Sequence, residues 1–449
     1  MFKKLNSPQI VVISFLAAIL IGTALLCTPL AAKSGEKTPV IDSLFTATSA
    51  TCVTGLVVRE TGTYFSWFGK SVILVLLQMG GLGIMTFSTL FAILLGRKLT
   101  IKEDVVIQRT MAGNKVQNLN TLIKYILFIT FGIELLGAAC LAARWAKTMD
   151  WSAGKVLVNS VFHAVSGFCN AGFSLFPGSF NAFAADPYIN ITMILLIVIG
   201  GIGFVVVMEL PRIVRRKPSR SISIQAKMAI SVSIALILIG AALFFLIEND
   251  NAMAHLSPKN KFLGAVFQSV TTRTAGFNTL NISSFAAPTL CLFIFLMFIG
   301  ASPGSTGGGI KTCTFGVLLA TGCSMLKNRD RVSVFRRTIP KEVVRRALLV
   351  LFLGLGWIFI AVFLLALSEL KKAAYLDNFF LRLLFEITSA FGTVGLSTGI
   401  TPTLSSTGKL IVILTMFAGR VGPLTLALAV ALQSERAAYK YPEEKIIIG

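Results

Sequence analysis

FTATSATCVTGL, residues 45 to 56, returns three times along the chain. The later copies read FHAVSGFCNAGF from Phe162, FQSVTTRTAGF from Phe267 and FEITSAFGTVGL from Phe385. Each begins with Phe, places Ser or Thr four residues on (Ser49, Ser166, Thr271, Ser389) and reaches Gly nine or ten residues from the Phe (Gly55, Gly172, Gly276, Gly395). Leu or Phe follows the glycine every time. The glycines lie 117, 104 and 119 residues apart, a spacing that marks four copies of one structural unit.

Composition says where such units live. Of 449 residues, 55% are hydrophobic and 13% charged, more apolar surface than a soluble core absorbs, so the chain reads as an all-α polytopic membrane protein. Hydropathy predicts spans at 8–29, 68–96, 119–143, 187–210, 225–247, 287–326 (interrupted), 344–368 and 407–433. The first is too long for a signal peptide and is followed by further spans. Each copy of the repeat falls between two spans, so one unit is a span, a re-entrant segment and a span. The units run 1–96, 97–210, 211–326, with its second helix broken, and 327–433, followed by a tail at 434–449. The seven cysteines lack paired spacing and read as reduced thiols.

The net charge of +22 is a matter of topology. With both termini inside, about 25 Lys/Arg and 8 Asp/Glu fall on one side, against 14 and 10 on the other. That asymmetry follows the positive-inside rule, and nucleic acid is not a partner. The densest stretches run from Arg212 to Arg220 and from Lys327 to Arg346. With the tail from Ser434, they read either as docking surfaces for a soluble protein or as contacts to lipid headgroups.

Backbone chemistry turns the architecture into a function. A re-entrant segment, expected to hold eight to ten helical residues, returns as extended chain whose carbonyls cannot pair with one another. Such backbone survives at membrane depth only around a water-filled or ion-filled path. Four copies around a central pore supply a ring of carbonyl oxygens, and each short helix aims its negative C-terminal end at that ring. Glycine at the turning position lets the carbonyl face the axis. Uncharged oxygens without an acidic ring suit a weakly hydrated monovalent cation, and potassium is the natural candidate.

A second glycine register follows 24 to 28 residues after each first one: Gly80-Gly81-Leu82-Gly83, Gly200-Gly201-Ile202-Gly203, Gly300 and Gly419-Arg420-Val421-Gly422. In the first two units it reads as close helix packing. In the third it opens GASPGSTGGGIKT, residues 300 to 312. Ile310 separates Gly309 from Lys311, and a membrane span precedes the stretch, so it is not a phosphate-binding loop. A kink without a role is the plain reading. The sharper one is a gate built from Gly300, Ala301, Ser302, Pro303, Gly304, Ser305, Thr306, Gly307, Gly308, Gly309, Ile310, Lys311 and Thr312. Arg420, in register with Gly81 and Gly201, is placed beside it. Charges at this depth are functional by default.

Together these features resemble the Trk/Ktr/HKT superfamily of potassium transporters over essentially the whole chain, most of all the membrane subunit of a bacterial Ktr system. The resemblance implies gated, channel-like potassium uptake across the bacterial plasma membrane, with sodium possible as a second ion. It implies a homodimer with one pore per subunit, seated on a cytosolic ring of regulatory nucleotide-binding subunits. ATP/ADP or NAD(H) would bind only that partner, and no cofactor is expected here. Carried over, the filter is Thr51, Cys52, Val53, Thr54 and Gly55; Phe168, Cys169, Asn170, Ala171 and Gly172; Thr272, Arg273, Thr274, Ala275 and Gly276; and Gly392, Thr393, Val394 and Gly395. Sodium-selective members carry Ser where Gly55 stands. One glycine per segment, where tetrameric potassium channels have two, implies looser selectivity.

Other polar residues read as structural. Arg273 is expected to turn away from the axis, and Glu134 to find an amide or hydroxyl partner. His163 and Glu386, which follow the repeat's Phe, are read as hydrogen-bonding anchors of the short helices. No nucleophile or metal-spaced cluster accompanies them, so no enzyme site emerges. An alternating-access cation-coupled symporter is the alternative, but its usual inverted twofold repeat does not match four copies.

Overall fold

A computed structural model describes residues 7–83, 119–204, 206–209, 222–329, 331–375, 377–422 and 425. The basic stretch from Arg212 to Arg220, the tail from Ser434 to Gly449, residues 84–96 of the second expected span and most of 423–433 lie outside the described residues. The described residues are mainly helical, with one two-stranded hairpin among them. In order come α1 (Ser7–Leu26), α2 (Val40–Thr51), α3 (Trp67–Gly81), α4 (Leu119–Thr148), α5 (Ala153–Phe168), α6 (Pro187–Ile202) and α7 (Ile224–Glu248). They are followed by α8 (Pro258–Thr271), α9 (Ala287–Phe298), α10 (Thr312–Leu326), β1 (Ser333–Val334), β2 (Arg337–Thr338), α11 (Lys341–Ser368), α12 (Phe379–Gly392) and α13 (Ser406–Val421).

α4, α7 and α11 are long and apolar enough to cross a membrane; α3, α6, α9 and α10 are shorter apolar helices. Two expectations need correction. The short helices α2, α5, α8 and α12 hold 12 to 16 residues, not eight to ten. The interruption expected only in the third unit recurs in kind: α3, α6 and α13 end at the second glycine register, with Gly83, Gly203 and Gly422 at φ of 77°, 95° and 89°. Hydropathy cannot see such stops, because the residues after the glycines remain apolar.

Packing closes a circle. The helix that follows the short one in each unit rests on the short helix of the next: α3 on α5, α6 on α8, α9 on α12, and α13 back on α2. The seam between last and first units is also electrostatic. Buried Asp42 receives Arg59 Nε at 2.9 Å and Lys409 Nζ at 2.7 Å. Within units, polar staples join the first long helix to the last one. Ser66, Asp186 and Ser405 cap α3, α6 and α13 by accepting backbone N–H bonds. Arg144 at the end of α4 pairs with Asp186 at 2.8 Å. Glu248, fully buried, accepts from Ala286 N at 2.9 Å and from Thr289 Oγ1. Glu369 does the equivalent at the start of α13, accepting from Ser405 N at 2.7 Å and pairing with Lys372 at 2.6 Å.

Burial by itself pushes the Glu369 carboxyl up, but the bonds from Lys372 and Ser405 outweigh it and hold the group below the ordinary carboxylate value. A depressed pKa contributes stability above the unfolded value near 4.3 and loses it as pH falls through the folded value. Glu369→Gln is therefore expected to destabilise by roughly 1–3 kcal/mol at neutral pH. Thermal unfolding in detergent should show a gap from the parent that narrows as the pH is lowered below about 4.

Candidate functional site

The four repeat glycines sit at φ of 92° (Gly55), 71° (Gly172), 76° (Gly276) and 90° (Gly395). A Cβ placed on Gly55 would lie 2.6 Å from Ala171 O. On Gly172 it would lie 3.0 Å from Ala275 O, on Gly276 2.4 Å from Val394 O, and on Gly395 2.1 Å from Thr54 O. Each glycine thus abuts the peptide oxygen just before the next glycine, and the fourth contact returns to the first unit. No side chain fits this ring.

The strand before each glycine shares a second peculiarity. Val53, Asn170, Thr274 and Thr393, each two residues upstream, are left-handed at φ of 55°, 57°, 68° and 49°. Thr54, Ala171, Ala275 and Val394 between them remain at negative φ. In an ordinary strand successive carbonyls point to opposite sides; alternating handedness swings them toward the same side. Left-handed backbone at a β-branched Val or Thr costs about 1–2 kcal/mol per residue, so the surroundings must impose it.

Those surroundings include the Ser or Thr of the repeat. Ser49 O accepts from Thr54 N at 2.8 Å and its Oγ from Gly55 N at 3.1 Å. Ser389 treats Val394 and Gly395 identically, at 2.8 and 3.1 Å. In the middle units the hydroxyl donates instead, Ser166 to Phe173 O and Thr271 to Phe277 O. The sequence repeat flagged these hydroxyls; their task as braces of the glycine strand is the structure's addition. His163 and Glu386 also bind the returning strand. His163 Nε2 accepts from Leu175 N at 3.2 Å while Nδ1 lies 2.7 Å from Asn159 O, an arrangement met by the neutral ring with its proton on Nδ1. Glu386 receives Ser397 Oγ at 2.9 Å and the Thr401 hydroxyl.

On one side the glycines open onto a cavity of about 270 Å³ that Glu60, Ser174, Ser397 and Thr401 help to line. Against the left-handed residues lies the glycine-rich loop between α9 and α10. A Cβ on Gly307 would strike Thr274 Oγ1 at 2.1 Å, and one on Gly308 would strike Thr393 Oγ1 at 2.5 Å. The loop is tied to three neighbours. Ser302 N donates to Gly201 O (3.0 Å), Gly308 N to Thr393 Oγ1 (2.9 Å) and Phe204 N to Gly304 O (2.9 Å). The Arg420 guanidinium donates to Thr306 O in the loop and to Gly80 O at the end of α3. Lys311 Nζ folds back onto Gly307 O at 2.7 Å.

The second glycine register has one common purpose in three units. A Cβ would lie 2.2 Å from Thr51 O at Gly80, 1.9 Å from Phe168 O at Gly200, and 1.9 Å from Phe391 O at Gly419. In the third unit Gly300 instead abuts Gly308 O of its own loop, at 2.1 Å. Arg273 departs from the rest of the strand set. Its buried guanidinium turns to Ser233 Oγ at 3.4 Å, beside a cavity of about 30 Å³. Glu134 receives Gln78 Nε2 at 3.2 Å, the amide partner expected of it. Among the described residues no group of three or more His, Cys, Asp or Glu is placed to hold a metal ion.

The chain as a whole, and its fold, have known counterparts. The family described as TrkH, cation transport protein, matches residues 3–440. The chain belongs to that family. It is 37% identical to Ktr system potassium uptake protein B of Bacillus subtilis over 448 residues, covering 99% of this chain and 97% of that one. It is 38% identical to the Vibrio alginolyticus protein of the same name, covering 99% and 96%. Potassium/sodium uptake protein NtpJ of Enterococcus hirae is 37% identical over 452 residues, covering 100% and 98%. The crystal structure of the potassium transporter TrkH from Vibrio parahaemolyticus shares the fold, with a TM-score of 0.72 at 20% identity over 96% of this chain and 86% of that one.

Gly419→Ala would set a methyl on the Phe391 carbonyl, whereas Gly356 has no heavy atom within 4 Å of the added position. Overpacking of this kind costs about 1–3 kcal/mol or more. Gly419→Ala is expected to lower the folded yield and thermal midpoint in detergent, with Gly356→Ala as an unaffected reference.

Proposed function

We propose that this family member carries out gated, channel-like uptake of potassium through a central pore made by its four units. The observation that carries the reading is the ring of four positive-φ glycines, each preceded by a strand of alternating handedness. Such strands present Thr54, Ala171, Ala275 and Val394 peptide oxygens as a replacement hydration shell, which suits a large, weakly hydrated monovalent cation. The short helices α2, α5, α8 and α12 end immediately before the ring, so their negative ends add to the attraction. In this reading they are re-entrant pore helices in units 1–96, 97–210, 211–326 and 327–433. The names of the relatives, potassium uptake and potassium/sodium uptake, agree with that chemistry and with sodium as a second ion.

The loop from Gly300 to Thr312 is the gate. Pressed against Thr274 and Thr393, it obstructs the path directly below the ring, and Arg420 holds it there by its bond to Thr306 O while repelling cations. Lys311 keeps the loop's shape through Gly307 O. In the same reading the protein is a homodimer in the bacterial plasma membrane, termini in the cytoplasm, resting on a cytosolic ring of nucleotide-binding subunits; the word system in the relatives' names supports a partner subunit. The basic hairpin at Arg336 and Arg337 is the docking surface proposed for that ring.

Three outcomes test this reading. Serine at Gly55, Gly172, Gly276 or Gly395 should reduce the preference for potassium over sodium by about tenfold, equivalent to about 1.4 kcal/mol. Rubidium uptake competed with sodium in potassium-starved cells would show it, and an unaltered preference in a folded variant would reject the ring as the selecting element. Arg420→Ala should raise flux severalfold or free it from regulation; unchanged flux would remove Arg420 from gating. Charge reversal at Arg336 and Arg337 should abolish co-purification with a soluble regulator, and retained binding would discard that surface.

A further inference from the structure

The chain also holds a cavity far from the ring, between the β1–β2 hairpin and the start of α11. It encloses about 470 Å³, and its walls include Arg331, Lys341 and Arg345 together with Ile339, Val344 and Leu348. None of the residues lining it is acidic. Among the described residues the three cations form no ion pair, and Glu342 pairs instead with Arg346 at 4.0 Å. Three cations around one unneutralised concavity call for an anion.

The wall is well held. Ile339 is buried with Met228, Val317 and Ala347, and its N–H donates to Val332 O at 2.9 Å. The hairpin turns through Phe335 and Arg336 at φ of 50° and 62°, the two left-handed residues of a tight two-residue connection.

The cavity continues along an exposed apolar face of α11. Leu348, which lines it, begins a stripe on α11 of exposed Leu348, Phe352, Leu355 and Phe359, spaced by four, three and four residues along one helical face. From Leu348 to Phe359 the stripe is roughly 16 Å long at 1.5 Å per residue, close to half of an about 30 Å hydrocarbon core. α11 is one of the helices fit to cross the membrane.

We propose that this cavity binds an anionic phospholipid, its phosphate among Arg331, Lys341 and Arg345 and an acyl chain lying along Leu348, Phe352, Leu355 and Phe359. Free phosphate satisfies the polar half alone. A cytosolic protein reaches the cations but not a stripe inside the bilayer. Basic pockets at the ends of membrane helices are a known form of headgroup recognition, and here charge and apolar surface are arranged in the order that a lipid presents them.

The test uses the purified full chain in detergent, titrated separately with phosphatidylglycerol, phosphatidylcholine and inorganic phosphate. Native mass spectrometry reads bound lipid, and thermal unfolding reads stabilisation. Phosphatidylglycerol should be retained in preference to phosphatidylcholine and should raise the midpoint, and inorganic phosphate should not. The R331Q/K341Q/R345Q variant should bind phosphatidylglycerol on the order of a hundredfold more weakly with its lipid-free midpoint unchanged. R331K/R345K, which keeps the charges, should retain binding. Phe352→Ala should weaken phosphatidylglycerol alone. Undiminished retention in the triple variant would overturn the site. Equal stabilisation by inorganic phosphate would make it an anion site without a lipid, and loss of a co-purifying soluble protein with lipid retained would make it a protein-docking face; either result overturns the proposal.

Discussion

Four α-carbons converge so closely that a methyl group on any of them would collide with a peptide oxygen of the neighbouring unit. This steric constraint fixes much else. It requires glycine at one position per unit and forces the preceding strand through alternating backbone handedness. It also leaves the strand's amides and carbonyls to be bonded from outside. The braces from Ser49, Ser166, Thr271 and Ser389 meet that need. A second set of close approaches, Gly80, Gly200 and Gly419 against carbonyls at the ends of α2, α5 and α12, locks those three short helices in place.

The units are similar without being equivalent, and the differences concentrate in the second half of the chain. Where the first, second and fourth units press a glycine on a helix-end carbonyl, the third opens into the loop at Gly300 to Thr312. Where the first and second carry Gly81 and Gly201, the fourth carries Arg420. The loop needs a cationic donor to satisfy Thr306 O, and the arginine's other bond to Gly80 O draws the first unit into the same contact. A charge at this depth is tolerated because carbonyls from two directions receive it. Arg273 shows the other solution, a buried guanidinium turned aside to Ser233.

Much of this was readable from residue spacing, and the rest fails for identifiable reasons. The Phe, Ser/Thr and Gly pattern placed four segments in register, because a shared backbone geometry leaves glycine little alternative. Hydropathy located α4, α7 and α11 to within a few residues, since each is a long uninterrupted apolar helix. It did not register the interruptions at the ends of α3, α6 and α13, because Gly83, Gly203 and Gly422 change backbone handedness and not polarity. The lengths of the short helices were underestimated because their early turns carry polar residues such as Asp42, Lys155 and Lys261. The placement of Arg420 beside the loop was anticipated from register; its bond to Thr306 O is the structure's addition. The clamps of Asp42, Glu248 and Glu369 were missed, although an acid beside a span boundary is a usable signal, because the partners that join them to another helix, Lys409, Thr289 and Ser405, lie dozens or hundreds of residues away.

The contact of Asp42 with Lys409 bears on how the protein is made. These residues lie 367 positions apart in the chain, one in the first unit and one in the fourth. Synthesis delivers three units as an open arc whose free flank, α2 with Asp42 on it, waits for α13. The circle is completed only once the fourth unit has been made. A chain halted after the third unit would leave the buried Asp42 carboxylate without its Lys409 partner.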